Sequence, residues 1–443
     1  STLLDLSALG FITYDTERGM VSITQKLENF VKAKAGRSDY DNIQFTSDLT
    51  PERMDGLSQQ DIDRNPELKR QQEQIQQRNR ERERMKEFGF IDLKNYHLDI
   101  GAVDLVPISQ FKNTQIFPNQ SKIEVRKNRD IYFNGWVNSG KWEVNIANGY
   151  FDYGQNAFNI FESDVALFRA EPMKPEHGSN QIPIQSPITG VKGMLFVDDV
   201  TNRSGLNPEH NDFPKLSCVE KTRVYYDQKT LHRGAYTKDR FYFELDPFDM
   251  DSLNSFNEKY VRLAGELVSA GIFPKFREEL KIMNDYSLGF ARDAPDGGFP
   301  FYGTEARYDN RIVLSNNGLQ GSGQIDFLLS SSISNAFTFL PDSTIGYAQF
   351  TNLPQEDGVQ FPDVKGEDAF ITFLPYSETL KARSNKKLLA FFEGEAKLKG
   401  ELILKKEGMR GNGIMEMSGA NMLSKNYRYK RWQTDADTAI FNL

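Results

Sequence analysis

The feature that most constrains the fold is an alternation of apolar and polar residues with a period of two. Apolar or small residues occupy every second position over residues 142–146, 241–245 and 398–404, and the same pattern recurs along most of the chain. Successive side chains of a β-strand point to opposite faces of a sheet, so this period predicts strands with one buried face. The chain is therefore predicted to be mostly β.

Turn sequences separate these predicted strands at short intervals. Residues 138–140, 147–149, 295–298 and 316–318 combine Asn, Asp, Ser or Pro with Gly, which is typical of tight turns between antiparallel strands. The pattern predicts an elongated repetitive β architecture. It leaves open whether the strands form a β-solenoid, a jellyroll or stacked sandwich-like units.

One charged segment interrupts the β pattern and is predicted to be a surface helical insertion over residues 51–88. Asn65 is suited to the N-cap of its helix and Pro66 to the first helical position. The apolar residues of this segment are too sparse to bury a full helix face. The predicted organisation is thus a β segment at 1–50, the insertion at 51–88, a β-rich body at 89–298 and tandem repeats at 299–443.

The last third of the chain contains an internal repeat. Residues 299–350 and 391–441 align with an offset of about 90, and the three glycines Gly318, Gly321 and Gly323 match three glycines of the second copy. A predicted strand follows these glycines where a nucleotide-binding loop would have a helix, so they indicate a tight β turn. The two segments are predicted to be copies of one β unit.

Composition excludes several classes of protein. The net charge is -8, from 54 basic and 62 acidic residues, and such an acidic chain is not expected to bind nucleic acid. The single cysteine excludes a disulfide scaffold, and no apolar run approaches the roughly 18 residues of a transmembrane helix. Because the sequence begins at Ser1 in an apolar pattern, we expect it to be a fragment of a longer polypeptide.

Aromatic residues make up 12% of the chain and supply the first candidate site. Trp136, Trp142, Tyr150 and Tyr153 lie in one strand-rich region, and aromatic platforms bind sugars. Core packing accounts for the same residues, so both interpretations stay open at this point.

Closely spaced oxygen ligands supply the second candidate site. Asp246, Asp249, Asp251 and Asn254 could bind calcium, although the spacing lacks the glycine and the final glutamate of an EF-hand. A turn followed by a capped helix explains the same residues. No other cofactor is expected.

No catalytic residues are predicted. The four histidines do not have the spacing of metal ligands, and Cys218 lies in a predicted strand, where a packed and inert thiol is expected. The sequence therefore favours a protein that is not an enzyme, without settling the question.

Five segments carry a resemblance to a known group of proteins. Residues 123–135, 149–153, 246–253, 269–274 and 339–343 resemble very large β-rich proteins of Bacteroidota, a group with no established activity. The resemblance implies a location in the cell envelope, either in the periplasm, associated with the outer membrane or on the cell surface. It also implies that the partners are other envelope components or the remainder of the same polypeptide.

The expected function is that of a non-enzymatic structural or binding segment of a larger envelope protein. A carbohydrate-binding or carbohydrate-active β protein is the first alternative. The second is a periplasmic lipid conduit, because the glycine-punctuated strands are loosely similar to β-groove proteins that move lipids.

Overall fold

The computed structural model describes residues 2–35, 90–92, 96–174, 181–207, 209–257, 259, 261–354 and 361–418, with four single positions between 72 and 80 and three short strands after residue 426. The predicted insertion at 51–88 lies outside the described residues except for those single positions. The helices are α1 (Thr2–Ala8) and α2 (Gln25–Lys34).

The first strands in chain order are β1 (Ile12–Asp15), β2 (Met20–Ile23), β3 (Phe90–Asp92), β4 (His97–Ile100), β5 (Val106–Ser109), β6 (Thr114–Pro118), β7 (Ile123–Val125), β8 (Ile131–Tyr132), β9 (Gly135–Ser139), β10 (Trp142–Asp152), β11 (Ala157–Ala170), β12 (Ile182–Pro183), β13 (Ile188–Thr189), β14 (Gly193–Phe196), β15 (Lys215–Cys218), β16 (Thr222–Tyr225) and β17 (Phe241–Leu245).

The remaining strands are β18 (Phe248–Met250), β19 (Leu263–Ser269), β20 (Phe276–Ile282), β21 (Leu288–Asp293), β22 (Phe299–Pro300), β23 (Arg307–Ser315), β24 (Gly318–Phe327), β25 (Ser330–Leu340), β26 (Ser343–Asn352), β27 (Val364–Leu374), β28 (Thr379–Ser384), β29 (Leu389–Phe391), β30 (Ala396–Lys405), β31 (Gly408–Ser418), β32 (Tyr427–Tyr429), β33 (Trp432–Thr434) and β34 (Ala439–Asn442). The described chain is mainly β-strand, which confirms the predicted fold class.

The strands divide between two compact units. Unit 1 comprises residues 1–183, 187–222 and 247–258, and unit 2 comprises residues 184–186, 223–246 and 259–443. Strands distant in sequence pair with one another within each unit, and the predicted boundaries at 88 and 298 stay predictions. In unit 1, for example, β15 pairs with β18 across about 30 intervening residues.

Unit 1 is an antiparallel sheet around the long hairpin of β10 and β11. Strands β8 and β9 pair with one edge of β10, β6 pairs with β9, and β14 pairs with the first four residues of β11. The inward side chains of β10 begin with Trp142, Val144 and Ile146, all completely buried. The alternation read from residues 142–146 therefore gave the correct buried face.

Unit 2 is an antiparallel meander in which most strands pair with the next one along the chain. The order β17-β19-β20-β21-β23-β24-β25-β26-β27-β28-β30-β31 follows from these pairings. The rings of Phe327 on β24 and Phe373 on β27 lie 5.3 Å apart, although two strands separate them. A flat sheet would hold such strands about 14 Å apart, so this sheet curls until its inner side chains meet.

The turns predicted at 138–140, 295–298 and 316–318 are confirmed, but the turn predicted at 147–149 is wrong. Ser139 pairs with Trp142 and Ser315 with Gly318 across two-residue turns, and the amide of Gly298 donates to the carbonyl of Pro295. Residues 147–149 instead continue β10, where the pairing with β11 shifts register. The glycine that suggested a turn belongs to a β-bulge.

The first predicted segment, described as β, contains two helices as well as the β1–β2 hairpin. Helix α2 follows Thr24, whose hydroxyl donates to the carbonyl of Phe11 at 2.8 Å. The residues of α2 carry a helical apolar spacing at Leu27, Phe30 and Val31, which the search for period-two patterns did not detect.

The two aligned segments of unit 2 share a sequence of elements. In the first, β22 pairs with β23 and the β23–β24 hairpin follows; in the second, β29 pairs with β30 and the β30–β31 hairpin follows. The last part of the alignment differs, because β26 pairs antiparallel with β25 whereas β34 pairs parallel with β31. Gly321 and Gly323 lie inside β24, where an added Cβ would approach the Tyr308 hydroxyl to 2.3 and 2.9 Å.

Candidate functional site

The candidate site begins at a β-bulge in the central hairpin of unit 1. Asn148 pairs with Glu162 and Gly149 pairs with Ile160, so Phe161 is an extra residue on β11. A bulge redirects the side chain of the extra residue, and the Phe161 ring is accordingly 53% exposed. A Cβ at Gly149 would lie 2.3 Å from the Asn159 carbonyl oxygen, so glycine permits this close approach of the strands.

Three aromatic rings follow one another on the outer face of the sheet, and we call Tyr132, Tyr150 and Phe161 the aromatic ladder. Tyr132 on β8 pairs directly with Tyr150 on β10, and their rings are stacked with centroids 4.8 Å apart and an interplanar angle of 10°. Phe161 follows, with its centroid 5.9 Å from that of Tyr150. Burial against these neighbours, and then the negative charge of Asp152, raise the pKa of Tyr150.

An ion pair fixes one end of the ladder. The guanidinium carbon of Arg126 lies 3.5 Å from the centroid of the Tyr132 ring, and Nε donates to Oε1 of Glu124 at 2.8 Å. This hydrogen bond raises the pKa of Arg126. The same carboxylate oxygen lies 3.2 Å from Nδ1 of His97. The cation–π contact is therefore held in place by a charged partner that lies on the same face.

Two further arginines meet at Tyr153, in the turn that joins β10 to β11. The guanidinium carbons of Arg129 and Arg203 lie 4.6 and 4.9 Å from the Tyr153 ring centroid. Arg129 also donates to the Tyr153 hydroxyl, and Nη2 of Arg203 donates to the Gly154 carbonyl at 2.8 Å. We call Arg129, Tyr153 and Arg203 the arginine–tyrosine cluster.

Asp130 connects the two turns that carry this cluster. Its carboxylate accepts hydrogen bonds from the Tyr153 amide at 3.0 Å and from Nδ2 of Asn128 at 2.6 Å. The residue is 6% exposed, and burial raises the pKa of its carboxyl group. Asp130 is thus a positioning group for Tyr153 and not a group that faces a ligand.

A second aromatic pair lies further along the same outer face. Trp136 on β9 pairs with Phe117 on β6 on one side and with Asn145 on β10 on the other. All three are half-buried, as is the neighbouring amide of Asn138. Asn145 precedes Tyr150 by five residues, which places this pair roughly 15 Å from the ladder.

The structure separates the four predicted aromatic site residues. Tyr150, Tyr153 and Trp136 lie on the outer face or at its edge. Trp142 does not belong to a surface site. It is completely buried, and its ring stacks on that of Phe168 with centroids 5.1 Å apart. Trp142 has the parity of Val144, which faces the interior, and so it belongs to the core.

Sequence reasoning missed Tyr132, Phe161 and the arginines. The sequence does indicate that Tyr132 faces outward, because its neighbours Ile131 and Phe133 are both apolar. Both neighbours are buried in the structure. The sequence does not indicate the outward orientation of Phe161, because that orientation arises from the bulge.

The predicted calcium ligands do not form a described metal site. Asp246 forms an ion pair with Arg277, and Asp249 and Asp251 are exposed. Within the described ranges, no group of three His, Cys, Asp or Glu side chains is arranged to hold a metal ion. Residues 248–250 form strand β18, and Asn254 lies in the turn that follows it.

The other reactive groups of the described chain support the fold. Cys218 is 2% exposed, and burial raises the pKa of its thiol. In unit 2 the Tyr236 hydroxyl donates to the Phe339 carbonyl at 2.6 Å and accepts from the Leu319 amide at 3.1 Å, while burial raises its pKa to about 12. The Tyr302 hydroxyl lies 2.9 Å from the Ser343 carbonyl oxygen, to which it donates.

The inner face of unit 2 is filled by its own rings. Phe301, Tyr308, Phe337 and Phe339 are completely buried and contact one another. Among the described helices, neither combines the length and apolar character that crossing a membrane requires.

Comparison with protein-family models, with curated proteins and with solved structures found no match to this chain.

Proposed function

We propose that the chain is a non-enzymatic binding segment of a larger bacterial envelope protein, and that its binding surface is the outer face of unit 1. The observation that carries the proposal is the stacked Tyr132–Tyr150 pair with the exposed Phe161 beside it. The envelope location rests on the resemblance of the quoted sequence segments, and the partners would be other envelope components or the rest of the polypeptide.

Energetics supports a binding role for these rings. Phe161 is exposed and Tyr132 and Tyr150 are half-buried, so the ladder leaves apolar area in water that a ligand would cover, which is a favourable transfer. Tyr and Trp are also the residues that contribute most to many binding interfaces. Pairing within the sheet holds Tyr132 and Tyr150 in place before any ligand arrives, so little side-chain entropy would be lost on binding.

A carbohydrate is the second, narrower candidate for what this face binds. Sugar rings present apolar C–H faces between hydroxyl edges, which matches flat aromatic rings beside hydrogen-bonding amides. Trp136 lies between Phe117 and Asn145, and the amide of Asn138 is on the same face. Amide side chains offer both donors and acceptors to hydroxyl groups.

The proposal is tested by a glycan array probed with the chain and with two variants. Tyr150→Ala combined with Phe161→Ala removes the ladder, and we expect binding to fall by about tenfold or more. Tyr347→Ala is the matched control, because Tyr347 is 56% exposed and pairs with Phe370 on unit 2, with ring centroids 5.1 Å apart.

Two outcomes would contradict the proposal. Equal binding by the ladder variant and the parent chain would show that the aromatic ladder is not the binding surface. Binding to no glycan would leave the carbohydrate candidate without support. A pull-down with purified envelope proteins would then compare the ladder variant with Tyr347→Ala, and equal capture by the two would refute the binding role.

A further inference from the structure

We infer that the outer face of unit 1 binds an extended, uncharged polysaccharide, one molecule of which contacts both the aromatic ladder and the Trp136–Phe117 pair. This inference rests on the carbohydrate candidate of the proposed function. It adds the charge and the minimum length of the ligand, and it makes the second aromatic pair part of the same site. Its basis is the position of two aromatic groups along strands that carry no charge.

The two aromatic groups lie on the same face of one sheet. Tyr132 on β8 and Trp136 on β9 pair with the same edge of β10, opposite Tyr150 and Asn145 respectively. Directly paired residues point to the same side of a sheet. All four are half-buried, whereas the residues immediately before and after each of them are buried. The ladder and the Trp136–Phe117 pair therefore point outward together.

The separation of the two groups fits a linear sugar polymer. Four positions separate Tyr132 from Trp136, and five positions separate Asn145 from Tyr150 across a register shift. Extended strands of these lengths hold the two groups roughly 15 Å apart. A distance of about 15 Å corresponds to three linked sugar units, so a ligand that covers both groups has about five units.

The strands that join the two groups carry no charge. Residues 131–140, which include β8 and β9, and residues 144–151 of β10 contain no Asp, Glu, Lys or Arg. They contain four asparagines, of which Asn134 and Asn148 are exposed. An amide offers both a donor and an acceptor, which suits hydroxyl groups. The surface between the two aromatic groups is therefore suited to an uncharged sugar.

The charged groups beside these strands do not favour an acidic ligand. Arg126 and Arg169, which lie on the outer face, each form an ion pair with a glutamate, at 2.8 and 2.7 Å. Asp99 is exposed and pairs directly with Glu124, so it adds a negative charge to the row that contains Tyr132 and Tyr150. Over residues 97–170, which comprise β4 to β11, eight acidic residues outnumber seven basic ones. A polyanion therefore gains no net attraction on this face.

Contact with both groups should raise the affinity well above that of either group alone. Once a polysaccharide is stacked on the ladder, its other end lies at a high effective concentration beside Trp136. Both groups belong to paired strands and are held in place before the ligand arrives, so little side-chain entropy is lost. The gain depends on the length of the ligand, which distinguishes it from binding at the ladder alone.

The test is a calorimetric titration of the full protein chain with linear β-1,4-linked glucose oligosaccharides of three and six units. The six-unit probe reaches both aromatic groups, whereas the three-unit probe reaches one. We expect the six-unit probe to bind at least about tenfold more tightly. A six-unit probe with the same linkage, in which each C6 carries a carboxylate, should bind no more tightly than the uncharged one at 50 mM salt.

Variants show whether both groups contact one ligand molecule. Trp136→Ala should lower the affinity for the six-unit probe about tenfold, to near that of the three-unit probe, and Tyr150→Ala with Phe161→Ala should do the same. Trp136→Tyr, which retains a ring, should recover part of the loss. Tyr347→Ala removes an exposed ring of unit 2, and this control should bind both probes as the parent does. Circular dichroism would confirm that each variant is folded.

The outcomes separate this inference from the proposed function. Equal affinity for the two glucose probes, or full binding of the six-unit probe by folded Trp136→Ala, would overturn the inference and leave carbohydrate binding at the ladder standing. Tighter binding of the acidic probe would show that the ligand is not uncharged. Binding of neither glucose probe, when the glycan array shows binding of other sugars, would overturn the inference as well.

Discussion

Aromatic rings fill the interior of both units; the outer face of unit 1 also carries the three-ring ladder, whereas that of unit 2 carries the Tyr347–Phe370 pair. In unit 2 they fill the interior, where Phe301, Phe337 and Phe339 are completely buried. In unit 1 the aromatic ladder lies on the outer face, and Phe161 is 53% exposed. Both units are antiparallel sheets built from alternating residues, so the strand type does not decide where the rings lie.

The outer faces differ in a corresponding way. Ion pairs connect neighbouring strands on unit 2, as between Arg292 and Glu278 at 3.3 Å and between Lys381 and Glu401 at 3.5 Å. Such exposed pairs contribute little to stability and keep a surface solvated. The outer face of unit 1 also has such a pair, between Arg169 and Glu143 at 2.7 Å, and in addition the ladder offers apolar area. The comparison indicates that the interior rings of unit 2 serve the fold, whereas those of the ladder are available to a ligand.

The largest expected effect comes from removing a ring of the unit 2 interior. Phe339 lies 4.9 Å from the ring of Tyr308 and 5.3 Å from that of Phe273. Phe339→Ala should lower the free energy of unfolding by about 4 kcal/mol, because it leaves a cavity that neighbours fill only in part. Denaturant titration would measure this loss.

The matched change in unit 1 is Tyr150→Ala. It should lower the free energy of unfolding by about 1 kcal/mol, because only a cross-strand ring contact is lost. A loss as large as that of Phe339→Ala would break the comparison, since it would make the ladder part of the core.

An effect between these two is expected at the buried ion pair of unit 1. Nζ of Lys112 lies 3.4 Å from Oδ2 of Asp198, and the two side chains are 9% and 1% exposed. Lys112 also donates to the His210 carbonyl at 2.7 Å. Asp198→Asn should destabilise the unit by about 3 kcal/mol, because one end of an amide is a donor and cannot accept the hydrogen bonds that Asp198 receives from the Asp199 amide and from Nδ2 of Asn202, while the Lys112 ammonium stays buried beside it. Glu220→Gln, in the exposed pair with Lys192, is the control and should change stability little.

The effect of Asp198→Asn should depend on pH. Burial raises the pKa of Asp198, and the hydrogen bond from the Asp199 amide offsets this only in part. A raised carboxyl pKa contributes stability that is complete below the unfolded value of about 3.9 and is lost as pH rises through the folded value. Since Asn does not titrate, the cost of the substitution should be greater at pH 3 than at pH 7. If denaturation curves show a greater cost at pH 7 than at pH 3, the effect of pairing with Lys112 on the pKa of Asp198 outweighs that of burial.

The smallest perturbation tests whether the interior of unit 1 is closed. Cys218 is buried and the pKa of its thiol is raised, so little thiolate forms near neutral pH. Alkylation by iodoacetamide at pH 8 should be at least about tenfold slower in the native chain than in denaturant. Equal rates would mean that this interior opens readily, which would weaken the distinction between its inner and outer faces.

The sequence by itself determined the strands and most of their turns. Residues 142–146 gave the buried face of β10, and residues 316–318 gave the β23–β24 turn, because alternation and turn chemistry are local properties of the chain. The outward position of Tyr150 beside a bulge, by contrast, does not follow from the local sequence. It depends on which residue of β11 lies opposite Gly149.

Only the tertiary structure decided which aromatic residues form a surface. Trp142 and Trp136 lie in neighbouring strands with similar surroundings in sequence, yet the first packs on Phe168 in the core and the second faces outward. Likewise, Arg129 and Arg203 are 74 positions apart in the printed sequence, and both contact Tyr153. The physical reason is that alternation fixes the two faces of each strand, whereas strand register and loop packing bring distant residues together on one of them.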